Sequence, residues 1–173
     1  MKKAMLFFVA LLFSVSVSAA TLNLTTQSSA NATQFVSTIS NNGPLAIGTG
    51  ETPSGDWNSL FNLVSDVDTT VKVEWSFNPD DHVGLAKLGF GLASNWSATS
   101  LGLGFYQDVT GGFSATFNIL AGVLYAVDFT TVTSDALSYS LSVSDVPVPA
   151  ALFLFAPALL GFLGLRRKAT LAA

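Results

Sequence analysis

The segment TVKVEWSF, residues 70–77, alternates strictly between polar and apolar side chains. A period of two is that of a β-strand with one buried side and one solvent-facing side. The buried side of this strand would carry Val71, Val73, Trp75 and Phe77. The segment therefore predicts a half-buried strand rather than a helix.

The same alternation recurs in three later segments, at residues 113–119, 123–129 and 137–143. Turn sequences rich in Gly, Pro, Asn and Asp separate them from one another and from several weaker candidate strands. Short alternating strands with frequent turns predict an all-β domain, an antiparallel β-sandwich of jelly-roll-like type. Residues 113–120 and 123–130, joined at Ala121-Gly122, are predicted to form a hairpin.

Both ends of the chain are apolar and are predicted to lie outside this domain. Residues 1–20 begin with two lysines, continue as an apolar run and end in small residues, which is the order of a signal peptide removed by signal peptidase. Residues 150–165 carry no charge and precede Arg166, Arg167 and Lys168, which predicts a transmembrane helix with a cytoplasmic basic stop. An exported domain of residues 21–145 remains between these ends.

The tail, residues 146–170, combines a proline motif with this helix and stop. The motif consists of Val146, Pro147, Val148 and Pro149. The order resembles the PEP-CTERM sorting signal of exported bacterial proteins, although Val148 stands where the family name implies Glu. The resemblance implies that exosortase, a membrane-embedded cysteine transpeptidase, recognises the motif. It also implies a Gram-negative source, a precursor tethered in the inner membrane, and a mature protein at the cell surface or in the extracellular matrix.

Charge and composition exclude several classes of protein. The domain holds all 11 acidic residues of the chain but only two basic ones, Lys72 and Lys87, so its formal net charge is −9. Such a balance excludes a nucleic-acid partner. The chain has no cysteine, which excludes disulfides, a thiolate nucleophile and sulfur-ligated metals.

The residues needed for catalysis are largely missing. His82 is the one histidine of the chain, and no Gly-x-Ser-x-Gly motif accompanies it. The sequence therefore predicts no catalytic residue, and a secreted hydrolase is disfavoured.

Two acidic clusters are candidate calcium ligands. Asp66 and Asp68 precede the strand at 70–77, and Asp80 and Asp81 follow it. Carboxylate and loop carbonyl oxygens suit calcium, but the spacing is not that of an EF-hand, and such residues equally form turns. The length of the strand predicts that the two pairs lie at opposite ends of the sandwich.

Three aromatic residues are candidate sugar-stacking platforms. Trp57, Trp96 and Tyr106 lie in or beside turn-rich segments, where an exposed ring could stack on a glycan. The two tryptophans could equally close the ends of the sandwich as core residues.

Three functions follow from these observations. The first is a structural or adhesive surface protein linked to exopolysaccharide or biofilm. The second is a carbohydrate-binding module, with or without calcium, whose partner is an extracellular polysaccharide. The third is the disfavoured hydrolase.

Overall fold

The computed structural model describes residues 19–36, 43–96 and 102–146, which form ten β-strands and two short 3₁₀ turns. The predicted signal peptide up to residue 18, motif residues 147–149, the helix at 150–165 and the basic stop lie outside this range. The strands are β1 (Leu22–Ala30), β2 (Thr33–Val36), β3 (Leu45–Thr52), β4 (Gly55–Ser65), β5 (Thr69–Asn78), β6 (Val83–Leu92), β7 (Phe105–Val109), β8 (Phe113–Ile119), β9 (Tyr125–Ser134) and β10 (Leu137–Asp145).

The strands form two five-stranded antiparallel sheets. The front sheet has the order β2-β3-β10-β5-β8, and the back sheet has the order β1-β4-β9-β6-β7. Within them, β3-β10-β5-β8 faces β4-β9-β6-β7, and this order of eight strands is that of a jelly roll. The predicted antiparallel sandwich is therefore confirmed.

The core between the sheets follows the predicted alternation. On β5, the four apolar side chains are buried, with Trp75 at 1% exposure and Phe77 at 6%. The apolar residues of β10, from Leu137 to Val143, are buried in the same way. At about 25 cal/mol per Å² of apolar surface, burial of these residues is the main favourable contribution to folding.

The predicted hairpin at residues 113–130 is wrong. β8 pairs with β5 in the front sheet, whereas β9 pairs with β4 and β6 in the back sheet. Gly122 adopts a φ of 69°, a left-handed conformation that suits glycine, in the connection that carries the chain from one sheet to the other.

The N-terminal and C-terminal ends of the domain lie side by side. The backbone N–H of Ala20 donates to the Asp145 carboxylate (3.1 Å), and that of Val146 donates to the Thr70 carbonyl (2.8 Å). The Thr69 hydroxyl also hydrogen-bonds Asp145. The first and last described residues therefore lie at the same end of the domain.

None of the described residues belongs to a helix with the length and hydropathy that crossing a membrane requires.

Candidate functional site

A groove of about 330 Å³ lies on the front sheet, close to the end of the sandwich where β5 finishes. Two rows of side chains cross the strands there. The first row joins Phe35 on β2, Thr49 on β3, Ser140 on β10 and Ser76 on β5. At about 4.8 Å between neighbouring strands, these four positions extend over about 14 Å.

The second row runs beside the first. It joins Glu51 on β3, Ser138 on β10 and Asn78 on β5. All three side chains are exposed. The groove thus presents hydroxyl, amide and carboxylate groups, which can donate to and accept from the hydroxyls of a ligand.

Phe35 is the apolar wall of the groove, and this residue is 54% exposed. Its direction is set by Gln34, whose side-chain amide donates to the Ser59 hydroxyl (2.7 Å) and to the Leu60 carbonyl (2.9 Å) of the back sheet. Because successive side chains of a strand point to opposite faces, an inward Gln34 turns Phe35 outward.

The floor of the groove is built around Tyr139. Its hydroxyl lies 2.8 Å from the Ser59 hydroxyl and 3.1 Å from the Thr33 carbonyl. Burial raises the pKa of the Tyr139 phenol, and the hydrogen bond with Ser59 opposes that shift. The phenol therefore stays protonated at neutral pH and holds β2 against the sandwich.

Gly50 makes room for this arrangement. A Cβ at this position would clash with the Thr33 carbonyl oxygen and with the Tyr139 ring. Gly48, two residues earlier on β3, faces the Phe61 ring in the same way, at 2.7 Å from an added Cβ. Glycines on the inner side of β3 therefore let large rings approach the backbone.

The prediction that Trp57 offers an exposed platform is wrong. Trp57 is 3% exposed, and its indole N–H donates to the Ser134 hydroxyl (2.8 Å). It packs on Tyr139 and Phe129 in the core. β4 begins at Gly55, so Trp57 already belongs to a buried strand rather than to a turn.

Trp96 and Tyr106 lie away from the groove, on the outer side of the back sheet. Both are half-buried and pack against a small apolar cluster of Leu60, Leu103 and Ala126. The indole N–H of Trp96 donates to the Asp128 carboxylate (3.0 Å). The two rings thus cover the sheet, and the structure does not bring them together with Phe35.

Asp128 is a buried carboxylate beneath Trp96. It is 3% exposed and also accepts a hydrogen bond from the Thr130 hydroxyl (2.9 Å). Burial raises the pKa of Asp128, and the hydrogen bonds from Trp96 and Thr130 oppose that shift. Among the described residues, the side chains that hydrogen-bond the Asp128 carboxylate are those of Trp96 and Thr130, and neither is a cation.

The four aspartates predicted as calcium ligands form two separated pairs at opposite ends of β5, as expected from the length of that strand. Three of them accept backbone N–H groups at 2.7 Å: Asp66 from Thr21, Asp68 from Ala121, and Asp80 from Gly112. The hydrogen bonds from Thr21 lower the pKa of Asp66.

These carboxylates therefore fix turns and connect strands. Asp81, the fourth, is exposed in the 3₁₀ turn Asp80–His82. Across residues 19–36, 43–96 and 102–146, no group of three or more His, Cys, Asp or Glu side chains is placed to hold a metal ion.

Sequence reasoning did not identify the groove. The signal available in the sequence was the alternating serines Ser138, Ser140 and Ser142, which form the polar side of the strand predicted at residues 137–143. Phe35 and Glu51 lie beside those serines because β3 pairs with both β2 and β10. No single segment of the sequence predicts these pairings.

Comparison with known proteins gives distant structural likeness alone. No model of a protein family matches the chain, and no curated protein is similar to it in sequence.

Among solved structures, a carbohydrate-binding module of Cellvibrio mixtus lichenase 5A in complex with cellotriose is 9% identical, covers 70% of this chain and 92% of its own, and has a TM-score of 0.38. The Podospora anserina GH26-CBM35 β-(1,4)-mannanase is 12% identical over 73% of this chain and 29% of its own, with a TM-score of 0.41. The K3 cleaved adhesin domain of Lys-gingipain from Porphyromonas gingivalis is 12% identical over 58% and 73%, with a TM-score of 0.36. Because these scores are low, the function has to be argued from the residues of this chain.

Proposed function

We propose that this protein is an exported β-sandwich module that binds an extracellular polysaccharide in the groove of the front sheet. The observation that carries the proposal is the exposed ring of Phe35 beside Thr49, Ser140 and Ser76 in one row across four strands. A sugar ring has an apolar face of C–H groups and a rim of hydroxyls. An aromatic wall next to neutral hydroxyl groups is complementary to both.

The groove is also built to keep its shape. Two hydrogen bonds anchor β2 to the rest of the sandwich, one from the Gln34 amide to the Ser59 hydroxyl and one between the Tyr139 hydroxyl and the Thr33 carbonyl, so Phe35 lies on a fixed strand. A preformed surface loses little conformational entropy when a ligand binds. The fixed shape of the groove therefore favours a role in ligand binding.

The export part of the proposal depends on the sequence. Residues 1–20 would direct secretion, and the tail at 146–170 would hold the precursor in the inner membrane until exosortase acts on it. A polysaccharide-binding module released in this way would serve as an adhesive or structural component of the matrix. The surface-protein hypothesis and the binding hypothesis are then two aspects of one function.

The test is a glycan array probed with the full chain purified in mild detergent. We expect binding to at least one polysaccharide, and we expect Phe35→Ala to weaken it about tenfold or more, because loss of a stacked ring removes about 1.4 kcal/mol. Leu85→Ala is the matched control, since Leu85 is 52% exposed on β6 of the back sheet. Equal binding by wild type and Phe35→Ala, or no bound glycan at all, would contradict the proposal.

Calcium is tested in the same experiment by adding EDTA. The groove offers one carboxylate, Glu51, and the aspartate pairs lie in turns outside it. Binding through this groove is therefore expected to persist in EDTA.

A further inference from the structure

We infer that the ligand of this groove is a glycan without anionic groups, and that polymers rich in uronate or sulfate are excluded from it. This inference rests on the proposed function, since it concerns the same groove. It is carried by the charges in and around the groove.

The groove itself contains one charged side chain, and that charge is negative. Glu51 is exposed at the end of the second row, beside Ser138 and Asn78. Recognition of a carboxylate or sulfate group normally uses Arg or Lys, whose charge-assisted hydrogen bonds repay the loss of water from the anion. Neither residue type lines the groove.

The two lysines of the domain are both held by carboxylates. Lys72 lies 2.6 Å from Glu74 on the front sheet, and Lys87 lies 3.6 Å from Asp108 on the back sheet. Lys72 is four residues from Ser76 on β5, which is about 13 Å along the strand, with Glu74 between them. The Lys72–Glu74 ion pair therefore offers the groove no free positive charge.

The loops next to the groove add further negative charge. Asp80 and Asp81 follow Asn78 at the end of β5, and Asp135 precedes β10 by two residues. His82 lies at the same end, where its Nδ1 is 3.2 Å from the Ala136 carbonyl. Charges of one sign around a concave surface add to one another, so this end of the sandwich repels anions.

The remaining groups of the groove suit a neutral partner. Thr49, Ser76, Ser138 and Ser140 carry hydroxyls, and Asn78 carries an amide, so each can both donate and accept. The Glu51 carboxylate can accept a hydrogen bond from a sugar hydroxyl, and a neutral sugar carries no negative charge that would be repelled by it. A neutral, hydroxyl-rich glycan can thus use every polar group of the groove.

The test is an array in which each neutral polysaccharide is paired with a form of the same backbone that bears uronate or sulfate groups, probed with the full chain at low and high salt. We expect the neutral member of a bound pair to bind at least tenfold more tightly at low salt. Salt screens repulsion between exposed charges, so the difference should shrink as salt is added.

Glu51→Gln tests the source of the selectivity. This variant should bind the anionic member several-fold more tightly than wild type does. Asp108→Asn, which changes the net charge equally but on the back sheet, should leave the ratio unchanged.

Each remaining outcome has one meaning. Equal or tighter binding of the anionic member, lost in Phe35→Ala, would overturn this inference and leave polysaccharide binding in place. Anionic binding that EDTA abolishes would overturn it too, because a cation would then bridge the charges. Binding to no member of any pair would overturn the proposed function itself.

Discussion

The indole of Trp57 in the back sheet stacks on the ring of Tyr139 in the front sheet, with centroids 4.7 Å apart and an interplanar angle of 26°. Phe129 contacts both rings, at 5.6 Å from Trp57 and 4.9 Å from Tyr139. Tyr139 is at the same time the floor of the groove. The aromatic contact between the sheets therefore supports the proposed binding surface from beneath.

Trp57→Ala should strongly destabilise the domain. We expect a loss of about 3–5 kcal/mol in the free energy of unfolding, because a buried ring is deleted and a cavity is left. Lys72→Ala, which breaks one exposed ion pair, should change it by less than about 1 kcal/mol. Urea unfolding followed by tryptophan fluorescence or circular dichroism measures both, and equal losses would show that the inner and outer sides of the sheets are misassigned.

Gly50→Ala should also be destabilising, for a different reason. The added methyl group meets the Thr33 carbonyl oxygen, which the pairing of β2 with β3 keeps from moving away. Overpacking of this kind costs about 1–3 kcal/mol. Gly43→Ala is the control, since an added Cβ there has no neighbour within 4 Å among the described residues. If thermal unfolding gave the same midpoint for wild type and Gly50→Ala, the close approach of β2 and Tyr139 to β3 would be refuted.

Asp128→Asn should change how stability depends on pH. The folded pKa of Asp128 is raised, so the penalty for its buried charge is fully present above that pKa and disappears as the pH falls through it. We therefore expect Asp128→Asn to be more stable than wild type at neutral pH, with a difference that shrinks on acidification. Trp96 can still donate to the amide oxygen in this variant.

The measurement is urea unfolding of wild type and Asp128→Asn at several pH values between 3 and 7, which gives the difference in their free energies of unfolding at each pH. Asp108→Asn, at an exposed carboxylate, serves as the control. A difference between Asp128→Asn and wild type that grows on acidification would contradict the raised pKa.

Processing of the tail is predicted from the sequence alone. Pro147→Ala combined with Pro149→Ala should slow cleavage and let the uncleaved precursor accumulate in the inner membrane, because proline disfavours helix formation and alanine would allow it in the motif. Val148→Glu, which restores the acid implied by the family name, should be cleaved at least as well as wild type. Mass spectrometry of the exported protein decides, and peptides containing Leu165 and Arg166 in the mature form would contradict cleavage.

The sequence predicted the strands whose inner side is uniformly apolar. β5 and β10 alternate without exception, so their buried side could be read directly from residues 70–77 and 137–143. β3 was not predicted, because Gly48 and Gly50 occupy its inner side and give no apolar signal. Their small size matters only in relation to Phe61 and Tyr139, which are distant in sequence.

The pairing between strands was harder to predict from the sequence than the strands themselves. The connection around Gly122 looks the same in sequence whether it joins two strands of one sheet or carries the chain to the other, so the hairpin was predicted in error. The groove depends on pairing in the same way. Phe35 and Ser140 become neighbours only because β3 lies between β2 and β10.

The hydrogen bond between the Ala20 amide and the Asp145 carboxylate has a consequence for engineering. Because the entry and exit of the sandwich are adjacent, a short linker should be able to join them without strain, and new termini could then be opened at an exposed turn such as residues 53–54. The same adjacency makes residues 19–146 suitable for insertion into a surface loop of a carrier protein. Such a circular permutant or chimera would present the Phe35 groove free of both predicted targeting segments.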